Sequence, residues 1–302
     1  MNDFKEDARG ALIIAKRELY YHIHSLRLIL FGAVLSVFII LFALMASSQS
    51  EFLVEGTDYY APDAILFSVS FIFGLLSAFL AVILAYDDIT RERVNHSIEL
   101  LLVKPVSYSS IVLGKFLGTF FAMALPITIV TLCSVLVISL ISGQSPTVTG
   151  TLGFLFCLLT SVAICILMQQ ALSMVFKTSS TSLLVGIIIL VFFIMFWQIL
   201  IQYISIALGL EPDLLLLPEG LVGGSNIAMK QKTEAFMEWI ALLNPFPSLG
   251  FSIFINSMGI FLVSGERFVS MPRWLPPVAF LLWCALFFVI DTVLFKRLVR
   301  KL

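Results

Sequence analysis

The chain has 302 residues, 60% of them hydrophobic and 12% charged, with a mean hydropathy of +1.06. Soluble domains are about half apolar and a quarter charged, so this balance excludes an ordinary water-soluble core. A net charge of −1 offers no basic field for nucleic acid.

Some 27 charged and amphipathic residues precede the first apolar block. That order is unlike a secretory leader, so the segment is expected to be retained. Within it, residues 11–28 place Leu12, Ala15, Leu19, Ile23 and Leu26 at helical spacing beside Lys16, Arg17, His24 and Arg27. The pattern fits a helix lying in a membrane interface, or a cytosolic helix packed on another element.

Apolar blocks follow at residues 28–46, 64–86, 111–141, 151–176, 182–208 and 274–294. Each is long enough to cross a hydrocarbon layer about 30 Å thick, which predicts an all-α polytopic membrane protein with six transmembrane helices in one domain, 1–302. A further apolar stretch, Ser248 to Ser264, carries Asn256 and follows Asn244-Pro245-Phe246-Pro247, so it is expected to be re-entrant or interfacial. It belongs to a long loop, 209–273, expected to form a helical or re-entrant cap on the outer side.

Orientation follows from Lys and Arg, which collect on cytoplasmic flanks. Six spans with a cytoplasmic N-terminus put 14 of the 18 basic residues inside; Lys230, Lys232, Arg267 and Arg273 fall outside. A seventh span would move Lys296, Arg297, Arg300 and Lys301 outside as well. Both termini are therefore expected in the cytoplasm, with the protein in the plasma membrane.

The cytoplasmic loop 87–110 mixes charges with the run Leu100-Leu101-Leu102-Val103, stopped by Pro105, and is expected to hold a short helix. Its residues Asp88-Ile89-Thr90-Arg91-Glu92-Arg93, Ser97-Ile98-Glu99-Leu100-Leu101-Leu102, Pro105-Val106-Ser107 and Ile111-Val112-Leu113-Gly114-Lys115 resemble the segment between the second and third spans of type-2 ABC-transporter permeases. His96 stands where that family usually has glycine, and Tyr108 and Ser109 where an arginine is common. Leu84-Ala85-Tyr86-Asp87 and Gly114-Lys115-Phe116-Leu117-Gly118 look most similar to the nitrous oxide reductase maturation permease and to multidrug or sodium-efflux-like permeases.

The resemblance implies an interfacial N-terminal elbow, a cytosolic coupling helix between spans two and three, and a permease subunit, of an exporter, driven by a separate ABC ATPase. Glu92, Arg93, Ser97 and Glu99 are then the expected ATPase-docking residues. Gly114-Lys115 is followed by Phe116, and position 109 is Ser, so the phosphate-binding pattern is not met here. ATP and Mg are expected on two copies of the partner ATPase, with no cofactor on this chain. One docking element per chain implies a second permease copy, as a homodimer or with a paralogue.

Polar residues inside lipid are costly, which singles out Gln169, Gln170, Gln198 and Gln202. They line a translocation path or make hydrogen bonds between helices. Asp87, Asp88 and Asp291 sit at span ends, where they are expected to reach water or pair with Arg91, Lys296 or Arg297. His22 and His24 are two apart and point different ways on a helix, so no metal pair is expected. The cysteines, Cys133, Cys157, Cys165 and Cys284, read as small core residues. Two other functions compete: an intramembrane enzyme, for which no catalytic constellation is visible, and a subunit that transmits force through the outer loop without moving a solute.

Overall fold

The computed structural model of the chain describes residues 2–48, 61–95, 107–210 and 275–300, with short pieces between 229 and 245. The main helices are α1 (Asn2–Ile23), α2 (Leu26–Ser48), α3 (Ala61–Ala85), α4 (Thr90–Val94), α5 (Tyr108–Ser142), α6 (Val148–Val175), α7 (Ser179–Val191), α8 (Trp197–Ala207) and α9 (Leu275–Val299). Among the described residues four helices are long and apolar enough to cross a membrane, and up to six if each of two bent pairs counts as one span. The stretches 96–106 and 246–274, and most of the outer loop, lie outside the described residues.

Local chemistry sets the element ends. Ser107 caps α5 by accepting a hydrogen bond from the Ser110 amide, and Thr147 caps α6 through the Gly150 amide at 3.0 Å. Gly143 ends α5 in the left-handed conformation at φ 69°.

Two expected elements are revised. The amphipathic helix ends at Ile23 rather than Leu28, and the chain bends by 59° into α2. Ser25 makes the corner: its hydroxyl donates to the His22 carbonyl at 2.7 Å and accepts from the Leu28 amide at 3.3 Å. The block expected at 182–208 is interrupted by a π-helical turn, Phe192–Phe196, and bent by 42°. The Asn244 amide reaches the Phe193 carbonyl of that turn at 3.4 Å.

Helix α6 is the axis of the bundle. Every residue from Ser161 to Ala171 is buried. Small and hydroxyl residues such as Gly153, Ser161, Ala163 and Ser173 let other helices approach it closely. Helices α3 and α9 pack on it most extensively, with α5 and α7 completing the surround. Outside, α5 exposes Phe121, Leu125, Ile129, Leu132, Leu136 and Leu140 as an apolar stripe, the surface that a hydrocarbon solvent or a second membrane helix suits. Cys133 is exposed as well, whereas Cys157 and Cys165 are buried, so the core reading of the cysteines fails at Cys133.

One end of the bundle gathers the end of α3, the start of α5, and the ends of α6 and α9. There Ile14, Ile89, Ile111, Val112, Met174, Phe295 and Leu298 form an apolar cluster separate from the mid-bundle core. Helix α1 lies along the first turns of α5, and two glycines permit the approach. A Cβ on Gly114 would stand 2.7 Å from the Ala11 carbonyl oxygen, and one on Gly118 would stand 2.5 Å from Glu18 Cβ. Replacing Gly118 with Ala is expected to cost about 1–3 kcal/mol by overpacking. Thermal unfolding in detergent checks this, with Gly32→Ala as the control, because nothing lies within 4 Å of a Cβ there.

Candidate functional site

The close packing of α1 on α5 encloses a cluster of ions beside the end of α3. Glu18 and His22 come from α1, on the same helical face as Ala11, Ile14 and Ala15. Asp87 and Asp88 come from the turn after α3, Arg91 and Glu92 from α4, and Lys115 and Thr119 from α5. Lys115 is 0% exposed.

Its ammonium group holds three elements together. It lies 3.2 Å from Glu18 Oε1 on α1 and 3.0 Å from Glu92 Oε2 on α4, and donates to the Asp88 carbonyl at 3.0 Å. Arg17 bridges the same two acids from the rim, 2.6 Å from Glu18 and in contact with Glu92 Oε1. Arg91 stands 3.8 Å from Glu18 Oε2 and lies over the Tyr21 ring at 3.9 Å.

A second layer sits one turn along. The Thr119 hydroxyl donates to Asp88 Oδ2 at 3.0 Å and stands 3.2 Å from His22 Nε2, which is itself 3.4 Å from Asp88 Oδ1. Asp87 pairs with Arg27 at 3.3 Å, and that guanidinium lies over Tyr86. Thr90 donates to the Ser173 carbonyl at 2.9 Å, tying α4 to the end of α6.

Charges taken out of water are stable only when paired and hydrogen-bonded. Here Glu18, Asp88 and Glu92 are set against Arg17, Arg91 and Lys115, so the cluster is internally balanced. Burial by itself pushes the Glu18 carboxyl up, but the charge of Lys115, followed by the hydrogen bond and charge of Arg17, outweighs it and holds the group at about 2.

The expected site residues divide. Glu92 is buried, with its carboxylate turned to Lys115 and Arg17, and Arg93 is half-buried on the same short helix. Ser97 and Glu99 lie outside the described residues. Gln169 is buried and donates to the carbonyl and hydroxyl oxygens of Ser182 on α7, at 3.0 and 2.9 Å. Its Oε1 occupies the space above Gly186, where a Cβ would come within 1.9 Å. Gln170 is buried and donates to the Val112 carbonyl at 3.4 Å. Gln202 is exposed, and the side chain of Gln198 is not among those described. His22 is buried and His24 exposed, on different sides of α1.

The span-end carboxylates are corrected. Asp87 and Asp88 find Arg27, Thr119 and His22 rather than Arg91, because α1 covers them. Asp291 is fully buried, with no hydrogen-bond partner at either oxygen among the described residues, while Lys296 and Arg297, five and six residues on, project from other sides of α9 and are exposed.

Glu18 and Thr119 escaped the sequence reading, and His22 and Lys115 were named there without a place in a site, although a signal was present. Lys115 interrupts an apolar block, and Glu18 and His22 continue the spacing of Ala11, Ile14 and Ala15.

Two outcomes are expected. Lys115→Met leaves Glu18 and Glu92 with only the rim cation Arg17 between them and is expected to destabilise the protein by about 3–5 kcal/mol, read by thermal unfolding. Because the folded Glu18 group lies at about 2 against an ordinary 4.5, its contribution to stability is complete above about pH 4.5 and is lost as pH falls toward 2. Glu18→Gln is expected to lower stability at neutral pH and to flatten the acid limb of a stability–pH curve.

No curated protein matches the chain. The family model described as ABC-2 family transporter protein matches residues 12–298, which takes in α2 through α9, the ion cluster and the second half of α1. With that coverage, and with apolar helices suited to several membrane crossings, the chain belongs to the ABC-2 transporter family, the type-2 ABC permeases, as a multi-pass membrane subunit of an ABC transporter.

Proposed function

We propose that the chain is the permease half of an ABC exporter in which motion of a separate ATPase enters at residues 87–110 and reaches the spans through the buried ion cluster. Family membership implies an ABC ATPase partner. The observation that carries the reading is the position of Lys115, which joins α4 to α1 and α5 through Glu92 and Glu18.

A short helix that merely floated in solvent could move without consequence. Helix α4 is instead fixed at three points: Glu92 to Lys115 and Arg17, Thr90 to Ser173, and the Asp88 backbone to Lys115. Displacing it displaces the base of α5, the end of α6 and α1 together. In this reading Arg93, Ser97 and Glu99 meet the ATPase, and Glu92 passes the motion inward. ATP and Mg are held by two ATPase copies, and this chain supplies no catalytic residue.

Helix α1 serves as an interfacial elbow. Leu12, Ile13, Tyr20 and Ile23 are exposed on it, and apolar and amphipathic side chains of this kind suit a headgroup boundary. The shared end of α3, α5, α6 and α9 favours six crossings with both termini on the cytoplasmic side, in the plasma membrane. The stripe on α5 from Phe121 to Leu140 is open to lipid or to a second copy of the chain, and a homodimer gives the ATPase pair its two docking elements.

Three measurements test this. The purified chain alone is expected to hydrolyse no ATP. Co-purification with its ATPase is expected to weaken several-fold with Arg93→Glu or Glu99→Lys, while Glu92→Gln keeps the complex and reduces substrate-stimulated turnover; a pull-down indifferent to both surface changes sinks the docking assignment. In a cysteine-free background, a cysteine at position 230 is expected to label from outside and one at 104 from inside; the reverse overturns the topology.

A further inference from the structure

Asp291 is 0% exposed, on the packing face of a membrane helix, and takes no part in the ion cluster. Its face of α9 is continuous: Phe280, Cys284 and Phe287 precede it toward the mid-bundle core, and Phe295 and Leu298 follow it into the cluster at the bundle end. Among the described residues neither Oδ1 nor Oδ2 has a hydrogen-bond partner.

What faces it follows from helix register. Cys165 of α6 and Cys284 of α9 stand near each other, and further along Met174 and Phe295 share one cluster, so the two helices run side by side in the same direction. Seven residues beyond Cys284 is Asp291, and seven beyond Cys165 is Leu172, which sets Asp291 level with the turn that carries Gln169, Gln170 and Ser173. Of these, Gln169 is turned to α7 and Ser173 donates to the Gln170 carbonyl at 2.7 Å. Gln170 is turned to α5, bonding Val112, and α9 packs against both α5 and α6. Gln170 Oε1 is likewise buried without a partner.

The seam of α5, α6 and α9 therefore holds three acceptor atoms from neighbouring helices that accept from no donor among the described residues. A buried acceptor without a donor is costly, and two that face each other repel. Among the described residues of α5, α6 and α9, no cation is turned to this seam. Helix α6 carries no charged residue, and the one charged residue of α5, Lys115, is committed to Glu18 and Glu92. Tyr108 packs on Phe295, and the acids nearest the bundle end, Glu18, Asp88 and Glu92, belong to the ion cluster. Lys296 and Arg297 are exposed. A hard metal cation takes about six oxygens, more than this seam offers among its Phe, Leu and Ile neighbours. A proton needs one oxygen on each side.

We propose that Asp291 is a membrane-embedded proton-binding site: the proton, taken from cytosolic water, makes its carboxyl a donor to Gln170 Oε1 and fastens α9 to α6. When the seam opens to water, the carboxyl returns the proton to water and the ionised group is hydrated. This goes beyond the ATPase-coupling reading and does not depend on it.

Infrared difference spectroscopy of the full-length chain in lipid nanodiscs tests the bound proton. At neutral pH a protonated-carboxyl C=O band is expected that shifts in heavy water, disappears in Asp291→Asn, and moves to higher frequency in Gln170→Leu, where the acceptor is gone. A spectrum unchanged by Asp291→Asn, or a band unmoved by Gln170→Leu, overturns the assignment. Carbon-13 labelling of aspartate in the unaltered chain keeps the test open if a variant fails to fold, since absence of an isotope-shifted protonated-carboxyl band is equally fatal. Release is read by hydrogen–deuterium exchange: corrected for intrinsic base catalysis, exchange in residues 288–298 is expected to rise several-fold from neutral to alkaline pH in the unaltered chain but not in Asp291→Asn. Parallel behaviour of the two overturns the switching role.

Discussion

Lys115 is a cation placed where an apolar residue would be expected, and one end of the bundle is organised around it. Two carboxylates from different elements, Glu18 and Glu92, converge on one ammonium group. In a dry setting such convergence is strong, and the loss of any one member leaves a charge whose burial costs several kcal/mol. The three segments that supply the charges are therefore held as a unit. Gly114 and Gly118 make this possible by letting α1 come close enough to α5 for Glu18 to reach Lys115.

This arrangement gives a mechanical meaning to a loop that would otherwise be a tether. Helix α4 has five residues, too few to be stable alone in water. Its order derives from Thr90, Glu92 and the Asp88 backbone, each fixed to another part of the bundle. A push on α4 is thus a push on α1, α5 and the end of α6. Asp291 on the last helix and Gln170 on the central one each keep buried acceptor atoms that no described donor fills. The two places differ in kind: the ion cluster is internally paired, whereas Asp291 and Gln170 hold unfilled acceptors.

The glutamines illustrate how little a polar residue within an apolar block says by itself. Gln169 secures α7 through Ser182 with its amide pressed into the space at Gly186, whereas Gln170, the next residue, turns to α5 and leaves an acceptor unfilled. Adjacent positions on a helix point about 100° apart, so neighbours in sequence meet different helices. Gln202, with the same chemistry, is exposed.

Block length determined the helices, since about 20 apolar residues have few other ways to satisfy their backbone groups in lipid. The residues from Asp88 to Lys115 pointed to the family by their order, and the match over residues 12–298 agrees. Capping residues such as Ser107 and Thr147 fixed helix starts locally, within a few residues of the apolar blocks. What the sequence could not decide was the destination of each charge. Glu92 looked like a surface residue and is buried; Asp291 looked like a boundary residue and is enclosed. Both outcomes depend on which helix lies opposite, a relation between segments far apart in the chain. Glu92 meets Arg17 across 75 positions and Lys115 meets Glu18 across 97. Such pairings exist only once α1 has docked on α5, so tertiary packing alone turned scattered charges into a site.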